Sequence, residues 1–187
     1  MFYPFKLQPL ANLLDLAIEH RVRDNLSGDI QVCEVGFNLG HSSLLWLLNP
    51  NPNVKVLAFD LGEHAYSKTA AKYLKDRFGA DRIELIFGNS TLTIPNYHGL
   101  AKCDLIFVDG GHTVEVAYSD ITSFRRLARS IEHTVLIVDD INQDEVEEGW
   151  EKAKREGKVI SFGEVYEDAF FLNARDSRSS IIYGTFL

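Results

Sequence analysis

Acids recur in this chain at the ends of short apolar runs, a placement from which they could do chemistry together. Val32-Cys33 leads into Glu34, Val56-Leu57-Ala58-Phe59 ends at Asp60, Leu105-Ile106-Phe107-Val108 ends at Asp109, and Val135-Leu136-Ile137-Val138 ends at Asp139-Asp140. Continuous apolar runs of this length read as strands buried on both faces. In an open parallel sheet the ligand crevice lies beyond the carboxyl ends of the strands, where the strand order reverses, so four such strands deliver carboxylates to one edge. The first run continues through Val35-Gly36-Phe37-Asn38-Leu39-Gly40-His41-Ser42, a glycine-spaced turn opening into a helix. Glycines there let the backbone approach a ligand closely, which is how an α/β domain builds a nucleoside pocket.

Asp60 follows that turn by on the order of twenty residues, where a carboxylate can accept both hydroxyls of a ribose; a solvated turn acid is the plainer alternative. Asp109, Asp139 and Asp140 form a second constellation. If their strands are neighbours, three carboxylates share one small volume, which raises their pKa values unless a cation neutralises them. Mg²⁺ suits such an all-oxygen set, whereas single acids that only bind cofactor or cap a helix are the competing reading. His112, three residues past Asp109, can turn into the cleft as a general base, or can simply cap the helix start or orient Asp109. His41 fits a structural role better. His64, Tyr66, Tyr97 and His98 fall on loops at the same edge, as a substrate mouth or as ordinary exposed residues. A dinucleotide would want G-x-G-x-x-G, and Asn38 puts a side chain where pyrophosphate needs bare backbone, so that cofactor is disfavoured.

The elements that must position these groups alternate β-α-β. Apolar spacing from Leu10 to His20 predicts a leading helix within about 7–26, broken by Ser27-Gly28-Asp29 ahead of a core spanning 30–187. Strands are expected at about Ile30–Val35, Val56–Phe59, Ile83–Phe87, Leu105–Val108 and Val135–Val138, with helices at His41–Leu48, Lys68–Phe78, Thr113–Ile131 and Asp144–Gly157. Asn49-Pro50-Asn51-Pro52 is a turn signal, as is Pro95-Asn96-Tyr97-His98-Gly99. Val159–Val165 and Ser180–Phe186 read as short closing antiparallel strands of a mixed sheet. In the last helix, acids come first and bases last, matching the macrodipole, with Val146 and Trp150 facing inward.

At 187 residues the chain suits one domain, 1–187. With 45% hydrophobic and 25% charged residues it is an ordinary globular composition, and the formal charge of −8 argues against nucleic acid or anionic membrane as partners. A small-molecule partner is expected instead. No apolar run approaches the ~20 residues that span a bilayer, and Met1-Phe2-Tyr3-Pro4-Phe5-Lys6 lacks a signal-peptide core, so a cytoplasmic location is the expectation. Phe2-Tyr3-Pro4-Phe5 reads as an N-terminal strap, with a lid or an oligomer contact as alternatives. The two cysteines, Cys33 and Cys103, sit beside buried strands and are expected to be inert core thiols.

Over nearly its whole length the chain resembles the class I S-adenosylmethionine-dependent methyltransferases, most closely methyltransferase family 24. The carriers are Glu34-Val35-Gly36-Phe37-Asn38-Leu39-Gly40-His41-Ser42, Phe59-Asp60-Leu61-Gly62-Glu63-His64, Gly88-Asn89-Ser90, Asp104-Leu105-Ile106-Phe107-Val108-Asp109-Gly110-Gly111-His112 and Val138-Asp139-Asp140. The resemblance implies a Rossmann-like, doubly wound, mostly parallel seven-stranded sheet with a reversed final hairpin. Cofactor would lie across the tips of strands one, two and four, held by Glu34 at its methionine end, by Gly36, Phe37, Asn38, Gly40, His41 and Ser42, by Asp60 and Leu61, by Asn89 and Ser90 at the adenine, and by Asp109. Asn89 departs from the family, which often has an acid there. Asp109 with Asp139 and Asp140 is similar to the metal-binding acids of catechol and sugar O-methyltransferases. The expected activity is O-methylation of a small hydroxylated molecule with Mg²⁺ assistance, His112 and Asp109 being catalytic. A binding module that retains the pocket without turnover, or a pocket completed by a second copy in a homo-oligomer, stands beside it.

Overall fold

The computed structural model describes residues 7–166 and 179–187. Its strands are β1 (Ile30–Val35), β2 (Val54–Asp60), β3 (Ile83–Phe87), β4 (Leu105–Val108), β5 (Val135–Asp139), β6 (Val159–Tyr166) and β7 (Ser179–Phe186). Its helices are α1 (Leu7–Arg23), α2 (His41–Leu47), α3 (Ala65–Phe78), α4 (Ser90–Thr93), α5 (Val114–Ser123) and α6 (Asp144–Arg155). The strands form one sheet in the order β3-β2-β1-β4-β5-β7-β6, parallel except that β7 runs antiparallel to both its neighbours. The order reverses between β1 and β4, so the chain leaves these two neighbours in opposite directions and a crevice opens above them.

Alternation along each strand fills both faces. Val32, Val56, Leu105, Phe107 and Ile137 point to one side, where α1 contributes Leu10 and Leu14, α2 Trp46 and α3 Leu74. Cys33, Leu57, Phe59, Ile106 and Leu136 point to the other, against Ile121 of α5, Phe124, and Val146 and Trp150 of α6. Covering both faces is what a parallel sheet requires, and it explains why these strands read as unbroken apolar runs. Below the sheet, Asp104 ties α1 down. Arg21 donates to it at 3.0 Å, Arg129 at 2.6 Å and the Gln31 N–H at 2.8 Å, which satisfies a carboxylate and a guanidinium that are both buried.

Two expectations are corrected. The long helix over 113–131 stops at Ser123, passes through a 3-10 turn at Phe124–Leu127, and ends because Ala128 turns extended and the chain pairs beside Cys103. Cys103 N–H donates to the Leu127 carbonyl at 2.7 Å and Arg129 N–H to the Cys103 carbonyl at 2.9 Å, bonds that a continuing helix would forfeit. The cysteines are not free thiols: Cys33 and Cys103 form a disulfide, their Cα atoms 5.7 Å apart across the adjoining β1 and β4 segments. That separation lies in the range a disulfide bridges. The strap Phe2-Tyr3-Pro4-Phe5 lies outside the described residues. No helix among them is long and apolar enough to cross a membrane.

The disulfide closes a loop with a sequence separation of 70 residues, and by chain entropy it removes roughly 4 kcal/mol from the denatured ensemble. A thiol reagent added to the denatured, unreduced chain should label nothing, and Cys33→Ala/Cys103→Ala should lower the urea midpoint and steepen the slope as the denatured chain expands; full labelling of two thiols would exclude the bond.

Candidate functional site

Three loops meet where β1 and β4 diverge, and the backbone is tight there. Gly36 has φ 96°, and a Cβ on it would lie 1.7 Å from the Asp109 carbonyl oxygen, so no other residue fits without moving the β4 loop. Its N–H donates to the Phe59 carbonyl at 2.9 Å, and Asp109 N–H donates to the Val35 carbonyl at 3.0 Å. Asn38 is left-handed at φ 49°, a conformation that asparagine tolerates better than most side chains, and its N–H donates to Asp60 Oδ2 at 2.8 Å. Gly62 N–H donates to Asp60 Oδ1 at 2.7 Å, while the Asp60 carbonyl accepts from Gly88 N–H at 2.8 Å. Asp60 therefore joins the turns after β1, β2 and β3. Each of its carboxylate oxygens has a second lone pair, enough to accept two vicinal hydroxyls.

The other residues of the first constellation divide between ligand edge and support. Glu34 is 0% exposed and points toward α2, where the Ser43 hydroxyl donates to Oε1 and Trp46 Nε1 donates to Oε2 at 2.9 Å. Burial pushes its carboxyl up from the ordinary carboxylate range, opposed by the donors Ser43, Ser42 and Trp46. Glu34 thus braces the helix that carries the glycine turn. Ser42 and the Phe37 ring are buried with it, whereas His41 is exposed at the first residue of α2, after Gly40 in a left-handed cap. Leu61 stands exposed beside Asp60 and offers an apolar surface. Asn89 caps α4, its Oδ1 accepting the Thr91 N–H at 3.0 Å and hydroxyl at 2.8 Å, and Ser90 opens that helix half-buried.

The second constellation forms because β4 and β5 are neighbours in register, Val108 opposite Val138. Ligand atoms of Asp109, His112 and Asp140 lie within 4.8 Å of one another. His112 Nε2 is 3.2 Å from Asp140 Oδ2, and this bond raises the imidazole pKa above its ordinary value, burial opposing it in part. Asp140 reaches the cluster through a left-handed backbone at φ 55°. Asp139, expected beside them, is 5% exposed on the β5 strand, with Oδ1 accepting the Asp140 N–H at 2.8 Å. The gathered groups are two carboxylates and an imidazole. That set fits a divalent cation, but the imidazole makes it less selective for Mg²⁺ than three carboxylates and admits softer first-row ions.

Of the loop aromatics, Tyr97 packs edge-on against Phe59 with ring centroids 5.9 Å apart and donates to Glu84 at 3.4 Å, which makes it a core wall. His64 stacks at 4.7 Å on Tyr66, which the structure places in the first turn of α3 rather than on a loop, and His98 is exposed. Asp120 escaped sequence reasoning. It lies on the buried stripe of α5 with Ala117 and Ile121, is 0% exposed, and no hydrogen bond reaches either carboxylate oxygen. An acid inside an apolar helical stripe was its only signal.

The sheet order with its reversed last strand, and the glycine turn at the switch point, define a class I methyltransferase fold. Residues 33–141 match the family described as a methyltransferase domain, family 24, and the chain belongs to it. Among solved structures, it resembles an O-methyltransferase from Bacillus cereus bound to SAH (16% identity, 99% of this chain and 82% of that one, TM-score 0.71). It is also similar to the O-methyltransferase TomG from Streptomyces achromogenes with SAM (17%, 93% and 79%, TM-score 0.65) and to M. capricolum TrmK with S-adenosylhomocysteine (13%, 99% and 69%, TM-score 0.63). Identities this low show the fold alone. No curated protein matches the sequence.

Two titrations follow. Asp140→Asn should return the His112 pKa toward its ordinary value, read by NMR; no change would mean that Asp140 does not hold the imidazole. Burial pushes Asp120 up to about 7, with the nearby Ser90 hydroxyl only partly countering it. A raised acid prefers its proton in the folded state, so its contribution to stability falls as pH rises from about 4 to about 7, at about 1.4 kcal/mol per unit at most. Asp120→Asn should therefore raise the unfolding midpoint at pH 8 and change it little at pH 4.

Proposed function

We propose that this protein transfers a methyl group from S-adenosylmethionine to a hydroxyl of a small molecule. The observation that carries the reading is Asp60, which unites the turns after β1, β2 and β3 while keeping lone pairs for a ribose diol. The fit to the cofactor is good on two further counts. S-adenosylmethionine has no phosphate, so the Asn38 side chain is tolerated, and Leu61 beside Asp60 supplies apolar surface for a base. The cofactor contributes an electrophilic sulfonium methyl.

The chain's own groups would do the rest. The turn at Gly36–Gly40 and the carboxylate of Asp60 would hold and orient the nucleoside, and the cluster at the ends of β4 and β5 would serve the acceptor. His112 takes the proton of the acceptor hydroxyl as the oxygen attacks. With Nε2 engaged by Asp140, Nδ1 is the nitrogen left to accept that proton, and the carboxylate stabilises the imidazolium that results. Its raised pKa shifts the neutral, basic form to higher pH, so the rate should climb on the alkaline side of the ordinary histidine range.

The spacing of Asp109, His112 and Asp140 favours a second reading in which these residues hold a divalent cation that lowers the pKa of a bound hydroxyl. His112 cannot then be both ligand and base through one nitrogen.

Calorimetry separates these possibilities. S-adenosylmethionine should bind the wild-type chain in the micromolar range and bind Asp60→Ala at least about tenfold more weakly. Absence of binding to the wild type would sink the reading. Heat from Mg²⁺ or Mn²⁺ that Asp109→Asn abolishes would favour the cation. Turnover lost in His112→Ala with cofactor affinity intact would favour the base, and cofactor binding with no turnover on any acceptor would leave a binding module.

A further inference from the structure

A buried carboxylate with no partner is rare in a folded protein, because its desolvation goes uncompensated. Asp120 is such a group, and its surroundings are specific. Its Oδ2 lies so close to Gly110 that a Cβ added there would be 2.8 Å away, which places the oxygen directly beneath the turn after β4. On its other side is Ser90, first residue of α4, in the turn after β3. A carboxylate without a hydrogen bond thus lies beside both the turn after β3 and the turn after β4.

We propose that Asp120 is a positioning residue for the cofactor pocket, its carboxyl drawing the Ser90 hydroxyl and the Gly110–Gly111 turn together as the nucleoside binds. The inference rests on the S-adenosylmethionine reading of the same pocket. Asp120 acts from beneath, since both oxygens are enclosed. A side chain at Gly110 would displace the Asp120 carboxylate, since its Cβ would lie 2.8 Å from Oδ2. A carboxyl that served only to fill α5 packing would be replaceable by an isosteric amide without consequence for binding.

The test is calorimetry with S-adenosylhomocysteine and with S-inosylhomocysteine on wild type, Asp120→Asn, Ser90→Ala and the double variant, beside their unfolding midpoints. Asp120→Asn should bind S-adenosylhomocysteine about tenfold more weakly with a midpoint no lower than wild type, and should lose much of the preference for the adenosyl over the inosyl compound. The double variant should be no weaker than Asp120→Asn alone, because both changes break one linkage. Wild-type affinity in Asp120→Asn, additive losses, or a loss equal for both compounds would overturn the proposal. If Asp120→Asn fails to fold, Ser90→Ala carries the test: a similar loss of adenosyl preference supports the linkage and unchanged binding overturns it. Failure of the wild type to bind either compound overturns the cofactor reading along with it, whereas normal wild-type binding with an indifferent Asp120→Asn overturns this inference alone.

Discussion

Everything at the ligand edge depends on backbone packed against backbone where β1 and β4 part. The Gly36 Cα faces the Asp109 carbonyl with no room for a side chain, and this contact sets how far apart the two turns stand. From it follow the left-handed Asn38, the reach of the Asn38 N–H to Asp60, and the position from which Asp109 enters the second cluster. A parallel sheet supplies the crevice by topology, and this one close approach gives it dimensions.

Support for that edge comes from behind it. Glu34, with Ser43 and Trp46, fastens α2 against the sheet so that the glycine turn is held at both ends. Asp60 fastens three turns to one another. At the opposite end of the sheet, Asp104 with Arg21 and Arg129 holds α1, remote from the crevice. Rigid scaffold below and loops above is the usual division between stability and function in such folds.

Fold class and most strands were legible because both faces of a parallel sheet are buried, which leaves unbroken apolar runs, and the place of Asp60 at the end of β2 was legible because an acid directly ends such a run. Asp139 and Asp140 show where that signal stops. Two adjacent acids look equivalent in sequence, yet alternation along β5 holds the first in the strand and the left-handed turn at Asp140 swings the second toward His112. The capping of α4 by the Asn89 oxygen was not legible, because that short helix has no periodicity of its own. The end of α5 was hidden for a related reason: the 3-10 turn keeps Phe124 and Leu127 on the buried side, so helical spacing outlasts the helix. Cys33 and Cys103 lie 70 residues apart, and nothing local distinguishes paired cysteines from buried thiols.

The bond between those cysteines encircles the turns after β1, β2 and β3, together with α2, α3 and α4. A peptide bond cut anywhere from Cys33 to Cys103 leaves two fragments that remain covalently attached. The chain can thus be nicked within these loops and still travel as one molecule until it meets a reductant.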